Sequence, residues 1–180
     1  MMTNKKLKRH WRMLSMVREK NYLVEKLKES GIKSQIYTTM KKLKACSECH
    51  VGAVLRDGES FTRSNGKKKF SSENRTMKRV RYYDRETKLK VIIADNNEEN
   101  VESILEKFLI SVGKGIEVNG DWVEIEVGDA DWVEAGDSIL KSKIAVELEI
   151  VFKGSLYVNR EVLKKDISVT ASREEQNGDN

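Results

Sequence analysis

The stretch from Trp122 to Tyr157 constrains the fold more than any other part of the chain. It reads WVEIEVGDADWVEAGDSILKSKIAVELEIVFKGSLY and holds the longest continuous alternation of apolar and polar residues. In an extended backbone Ile144, Val146, Leu148, Ile150 and Phe152 fall on one face, and Lys143, Glu147 and Glu149 on the other. Before it, Val123, Ile125 and Val127 alternate with Trp122, Glu124 and Glu126. The intervening GDADWVEAGD carries the Gly and Asp residues that turns use. The expectation is two long strands joined by an acidic loop, with one apolar face that other elements must cover.

The strongest covering element lies just upstream. Val101, Ile104, Leu105, Phe108, Leu109 and Val112 recur at helical spacing, Asn96 and Asn97 stand where an N-cap belongs, and Glu98 and Glu99 occupy the first turn, where the helix dipole favours acids. The helix ends at Gly113 or Gly115. Its stripe is expected to pack on the Ile144 to Phe152 face and on Leu89 to Ile93. The run Val91 to Ala94 is wholly apolar, as a central strand covered on both faces would be.

The remaining segments fill in a layered architecture. Lys5 to Ser30 carries apolar positions at Trp11, Leu14, Val17, Val24 and Leu27, with Met13 and Leu23 beside the stripe, and predicts an amphipathic helix ended by Gly31. Its basic first turns mark it as an N-terminal arm. Ser34 to Thr39 either opens the sheet or connects, and GAVLR near Lys44 to Arg56 reads as a strand. Glu59 to Lys78 is almost wholly polar with Ser64-Asn65-Gly66 at its centre, and is either a disordered loop or a hairpin arm that something must receive. RVRYYD and TKLKVIIAD read as two strands separated by Arg85 and Glu86. Residues 158–170 form a short helix or a final strand. The fold class is therefore α+β: one domain, a mixed or antiparallel sheet packed by helices, an extended β-hairpin arm and a basic N-terminal helix. The expected division is a helical extension over residues 1–33, the domain over 34–170 and a disordered tail over 171–180.

Composition narrows the function classes. With 180 residues and no Pro, the chain has a length suited to one core and lacks a linker. No apolar run approaches the roughly 20 residues of a membrane span. The basic N-terminus lacks the apolar centre of a signal peptide, so the expectation is a reducing compartment. The net charge of +5 hides an asymmetry: residues 1–90 hold 25 Lys/Arg against 9 Asp/Glu, hence +16, and residues 91–180 hold 9 against 20, hence −11. Such a split suits nucleic-acid binding by the basic half, contact between unlike faces of neighbouring subunits, or merely segregated solvated faces.

Three groups of residues have the composition to carry chemistry. Cys46-Ser-Glu-Cys49-His50 matches the C-x-x-C-H spacing of covalent haem attachment and the C-x-x-C spacing of redox or zinc sites. Zinc would need His10 as a fourth ligand, and a strand would put Cys46 and His50 on one face and Cys49 on the other. Structural cysteines in a strand are the preferred reading. Asp129, Asp131, Glu134 and Asp137 cluster carboxylates without the Gly and Glu of an EF-hand loop, which favours turn chemistry and a partner-facing surface over metal. No phosphate-loop, dinucleotide or nucleophile-elbow motif is present, so no enzyme, metal or cofactor is expected. Lys67, Lys68, Lys69, Arg75, Lys78, Arg79, Arg81 and Arg85 surround Phe70, Tyr82 and Tyr83, mixing phosphate-binding charge with stacking rings.

The order of elements, with the phrases GDWVEIEVGDADWV and AVELEIVFKGSLY, resembles the tail terminator, or tail-completion, proteins of tailed bacteriophages over about Tyr37 to Tyr157. The resemblance implies a structural protein that assembles as a ring, typically a hexamer, on the finished tail tube, stops its polymerisation and joins the tail to the head. The partners implied are further copies of the chain, the tube protein, a connector or neck protein and the sheath, with DNA only as cargo through the lumen. The location implied is the virion, and the host cytoplasm during assembly. Donors at the seam would be Arg63, Lys67, Lys68, Lys69, Arg79 and Arg81, with Phe70 beside them. Acceptors would be Glu124, Glu126, Asp129, Asp131, Glu134 and Asp137, with Trp122 and Trp132 as aromatic anchors on the same face. The alternatives are a cytoplasmic nucleic-acid-binding protein using the basic hairpin 63–85, and a neighbouring head-tail connector protein.

Overall fold

The computed structural model describes residues 18–72, 75–118, 120–134, 140 and 144–162. Helix α1 (residues 18–29) leads into β1 (Ile36–Tyr37), α2 (Met40–Lys44), β2 (Val51–Arg63), β3 (Lys67–Ser72), β4 (Arg75–Asp95), α3 (Glu98–Ser111), β5 (Gly115–Val118), β6 (Asp121–Val133) and β7 (Ile144–Glu161). One seven-stranded sheet runs β1-β2-β4-β7-β6-β5, with β3 added to β4 beyond the end of β2. Among the described residues only the β1–β2 pairing is parallel and the other pairings are antiparallel, so the sheet is mixed and the α+β class expected from the sequence is the one formed.

The helix face of the sheet carries the main core. Val146, Leu148, Ile150 and Phe152 of β7 meet Val101, Ile104, Leu105 and Phe108 of α3, joined by Leu89, Val91 and Ile93 of β4 and by Val123 and Ile125 of β6. Four buried α3 side chains each contribute about 1.5–3 kcal/mol before conformational entropy is subtracted. The α3 start forms as the capping pattern demands: the Asn97 side chain accepts the Glu99 N–H at 3.0 Å. On the reverse face a smaller core joins Leu43 of α2 and Leu140 to Val51, Ala53, Leu55, Ile92, Ala94 and Ala145. Val91 to Ala94 is thus covered on both sides.

Helix α1 belongs to the core rather than to an extension over residues 1–33. Leu23 and Leu27 are fully buried in the main cluster, and the buried Glu19 carboxylate bonds Arg85 of β4 at 3.2 Å. Gly31, at φ 114, closes the helix: its N–H reaches the Lys28 carbonyl and the Ile32 N–H reaches that of Leu27, the double bond of a Schellman cap. Trp11, Met13, Leu14 and Val17 lie outside the described residues, as do Asp137, most of residues 158–170 and the segment 171–180.

Three other expectations change. RVRYYD and TKLKVIIAD are one strand, the 21-residue β4, because Arg85 and Glu86 continue the ladder opposite Phe61 and Ser60. Ser64-Asn65-Gly66 is not the hairpin turn. Ser64 N–H bonds the Tyr82 carbonyl and Arg81 N–H bonds that of Gly66, so pairing passes through this break and continues to Ser72↔Arg75. GDADWV is not loop either: after a register shift between Val127 and Ala130, β6 stays paired to β7 as far as Val133↔Ala145.

Candidate functional site

No single strand makes the arm that the polar segment suggested. β3, the first half of β4 and the last third of β7 form a three-stranded ribbon, with Lys68↔Arg79↔Asn159 and Lys69↔Lys78↔Arg160 in register. None of the described residues between 56 and 84 or between 153 and 162 is buried. The ribbon therefore holds by its backbone ladder and by contacts between its own side chains.

Cross-strand register divides the basic residues. Lys68, Phe70, Arg79, Arg81 and Tyr157 share one face, and Lys67, Lys69, Lys78 and Arg160 share the other. On the first face the Arg79 guanidinium lies 4.0 Å from the Tyr157 ring centre and 5.5 Å from that of Phe70. Its Nε donates to Asn159 Oδ1 at 3.0 Å, and its Nη1 stands 3.8 Å from Asp121. Arg79 is thus a clamp within the ribbon. Arg81 pairs with Asp84 at 2.5 Å and remains half exposed, as Arg63 and the three lysines of β3 are exposed. On the second face Arg160 Nη2 donates to the Tyr82 hydroxyl at 2.8 Å. Arg85, counted in the basic hairpin 63–85, does not face solvent with the others: it is buried between Glu19 and Glu59, 3.2 and 2.9 Å away. Two smaller strips replace the one expected.

The acidic half is likewise reorganised. The β6 bulge inverts the alternation, so Val123, Ile125 and Val127 before it and Ala130 and Trp132 after it share the helix face, with Trp132 opposite the buried Val146. Trp122 lies on the reverse face, so the two tryptophans do not share one surface. Trp122 is 63% exposed and covers Gly115, where an added Cβ would stand 2.5 Å from its ring. Glu124 and Glu126 lie with Trp122, and Asp131, opposite Glu147, joins them on the reverse face. There a charge ladder crosses the strands: Lys88 bonds Glu149 at 3.2 Å, Lys90 bonds Glu147 at 2.8 Å, and Lys153 bonds Glu126. The Lys90 pKa is raised, first by Glu147 and then by the fields of Asp57 and Asp131, against the opposing effect of burial. From Glu126 to Trp132 every β6 residue is exposed, on both faces, and exposed Glu134 follows.

The cysteine motif precedes a strand rather than forming one. Cys46 packs beside Tyr37 against the smaller core, Cys49 is exposed, and β2 begins only at Val51. His50 Nδ1 lies 2.8 Å from Asp95 Oδ2, and both line an open cleft of about 790 Å³ between the end of α1 and α3. Burial alone would raise the Asp95 pKa, but His50 and the Asn96 and Asn97 amides hold it below its ordinary value. Among the described residues no group of three His, Cys, Asp or Glu side chains is placed to hold a metal ion, and no helix is long and apolar enough to cross a membrane.

The residues that sequence reasoning missed here are those completing the ribbon: Tyr157, Asn159 and Arg160. The signal was the length of β7, since Gly154 to Glu161 continues without a turn residue cluster. Comparison with protein-family models finds no match. Comparison with curated proteins finds no similar sequence.

Proposed function

We propose that this protein is a tail terminator of a tailed bacteriophage or tail-like particle: a ring of copies that caps the tail tube, ends its growth and presents a surface to the head connector or neck. The observation that carries the reading is the three-stranded ribbon, which extends the sheet past the core with no buried residue among those described. A ribbon held by its own ladder and exposed beyond the core is available to a partner that receives it. An acidic strand exposed on both faces at the opposite side of the sheet supports the same reading, since closed rings place unlike surfaces in contact. The role is structural and needs no catalytic step.

The test is tube assembly. Purified tube protein polymerised with this chain should give tubes of arrested length, each bearing a ring at one end in electron micrographs. Tubes of unchanged length with no bound protein would rule the reading out. A second reading, binding of nucleic acid, is favoured by the Lys67, Lys69, Lys78 and Arg160 strip beside Tyr82. It predicts affinity that falls steeply with salt and with charge reversal at those lysines.

A further inference from the structure

The sheet ends in two open edges of opposite charge. On one side β1 covers only Gly52 and Ala53 of β2, and β3 pairs with β4 alone, so among the described residues the outer edge of β3 is unpaired. That edge begins with three consecutive lysines, Lys67 to Lys69. On the other side β5 and the residue before it cover β6 as far as Ile125, whose N–H bonds the Lys114 carbonyl, which leaves the outer edge of residues 126–133 unpaired among the described residues. β6 holds five acidic residues, Asp121, Glu124, Glu126, Asp129 and Asp131, and no basic one.

Open edges are ordinarily blunted by charge, and a lysine run is one such device. Blunting works only when the approaching edge carries like charge. Here self-pairing through a twofold axis would set β6 acids against β6 acids, or β3 lysines against β3 lysines, and both are repelled. Pairing of unlike edges is attracted. Strand direction favours the same choice. β3 is antiparallel to β4, β4 to β7 and β7 to β6, so β6 runs opposite to β3. β3 lies level with residues 75–80 of β4 and the free edge of β6 with residues 88–94, so the join is staggered along the strands. A rotation that carries one sheet onto the next with that stagger preserves strand direction, and β6 of one copy meets β3 of the next as an antiparallel pair, the more stable arrangement per residue.

We propose that the partner of these edges is a second copy of this chain, β6 residues 126–133 of one copy adding to β3 of the next to continue the sheet across the seam. This rests on the ring reading above and assigns its seam. The contact is heterologous, so it propagates head to tail and closes when the rotation allows.

The test uses the full, nuclease-treated chain and its mass in solution by sedimentation over a range of concentration and salt. One variant carries Lys67→Glu, Lys68→Glu and Lys69→Glu; the other carries Asp129→Lys, Asp131→Lys and Glu134→Lys. The oligomer should weaken in high salt, and each variant alone should associate about tenfold or more weakly. An equimolar mixture should regain the parental mass, because each variant then offers the edge its neighbour needs; this recovery also shows that both variants fold. An oligomer that survives both sets of reversals places the seam elsewhere and leaves the ring reading standing. Two monomeric variants that fail to complement overturn the pairing of these edges. A parent that stays monomeric at every concentration, with or without tube protein, overturns the seam and the ring together. Association that requires added nucleic acid overturns the seam in favour of phosphate binding.

Discussion

At the scale of single residues, the buried Arg85 shows how charge can serve the core. Its guanidinium lies between Glu19 on α1 and Glu59 on β2, and all three side chains are largely withdrawn from water. Removing the cation takes a partner from two buried carboxylates, of which Glu59 keeps Arg56. Arg85→Ala should therefore cost about 3–5 kcal/mol in urea denaturation, and replacing the triad together with Met and Leu should recover most of that loss. Asp95 gives a second prediction, with a pH signature. Its depressed pKa means that its contribution to stability is present above the unfolded value of about 3.9 and fades as pH falls through the lower, folded value. Asp95→Asn should lower stability near neutral pH by about 1–2 kcal/mol, through the weakened His50 contact and the amide bonds to Asn96 and Asn97. The variant should flatten the acid limb of the stability curve. An unchanged acid limb would assign that limb to other carboxylates.

At the scale of elements, α1 depends on a sharp stop. Gly31 at φ 114 lets the Schellman bonds form and turns the chain toward β1. Gly31→Ala should lower the thermal midpoint, at a cost of about 1–2 kcal/mol from the strained backbone, although no atom obstructs the added Cβ. In the ribbon, Arg79→Ala removes the clamp on Phe70 and Tyr157 and should speed amide exchange in β3 and the end of β7 while leaving β2 near Val54 protected. Legibility in the sequence followed how local each element's determinants are. Helix α3 was readable because its cap, its acids and its apolar spacing all lie within the element, and the Ile144 to Phe152 face was readable because one strand sets its own alternation. The β6 bulge was not: a register shift depends on what β7 offers opposite, and a Gly-Asp pair reads equally well as a turn. Ser64-Asn65-Gly66 misled for the same reason, since turn chemistry also suits a break in a ladder. For α1, the basic residues concealed that Leu23 and Leu27 face a sheet built much later in the chain. The core could be anticipated; which charges share a face could not, because that depends on register among three strands.

At the scale of the whole molecule, the hydrophobic core and the ribbon on which the proposed assembly rests occupy different parts of one sheet. Both hydrophobic clusters draw their strand residues from β1, β5, the start of β2, the ends of β4 and β6 nearest the core, and β7 up to Phe152; none comes from the ribbon. The separation can be tested by excision. Arg63 and Tyr83 are cross-strand partners, so replacing residues 64–82 by Asn-Gly closes β2 and β4 with a two-residue hairpin turn. The excised chain loses the Arg79 clamp and leaves the end of β7 without its neighbour, but among the described residues it loses no fully buried side chain. Its unfolding free energy should fall by about 2 kcal/mol or less, the range of surface changes and lost exposed hydrogen bonds, with the main transition still cooperative by calorimetry. Capping of tail tubes should be abolished in the same preparation. A chain that unfolds on excision would make the ribbon part of the folding unit, and a chain that still caps tubes would move the assembly surface to the Trp122 side of β6.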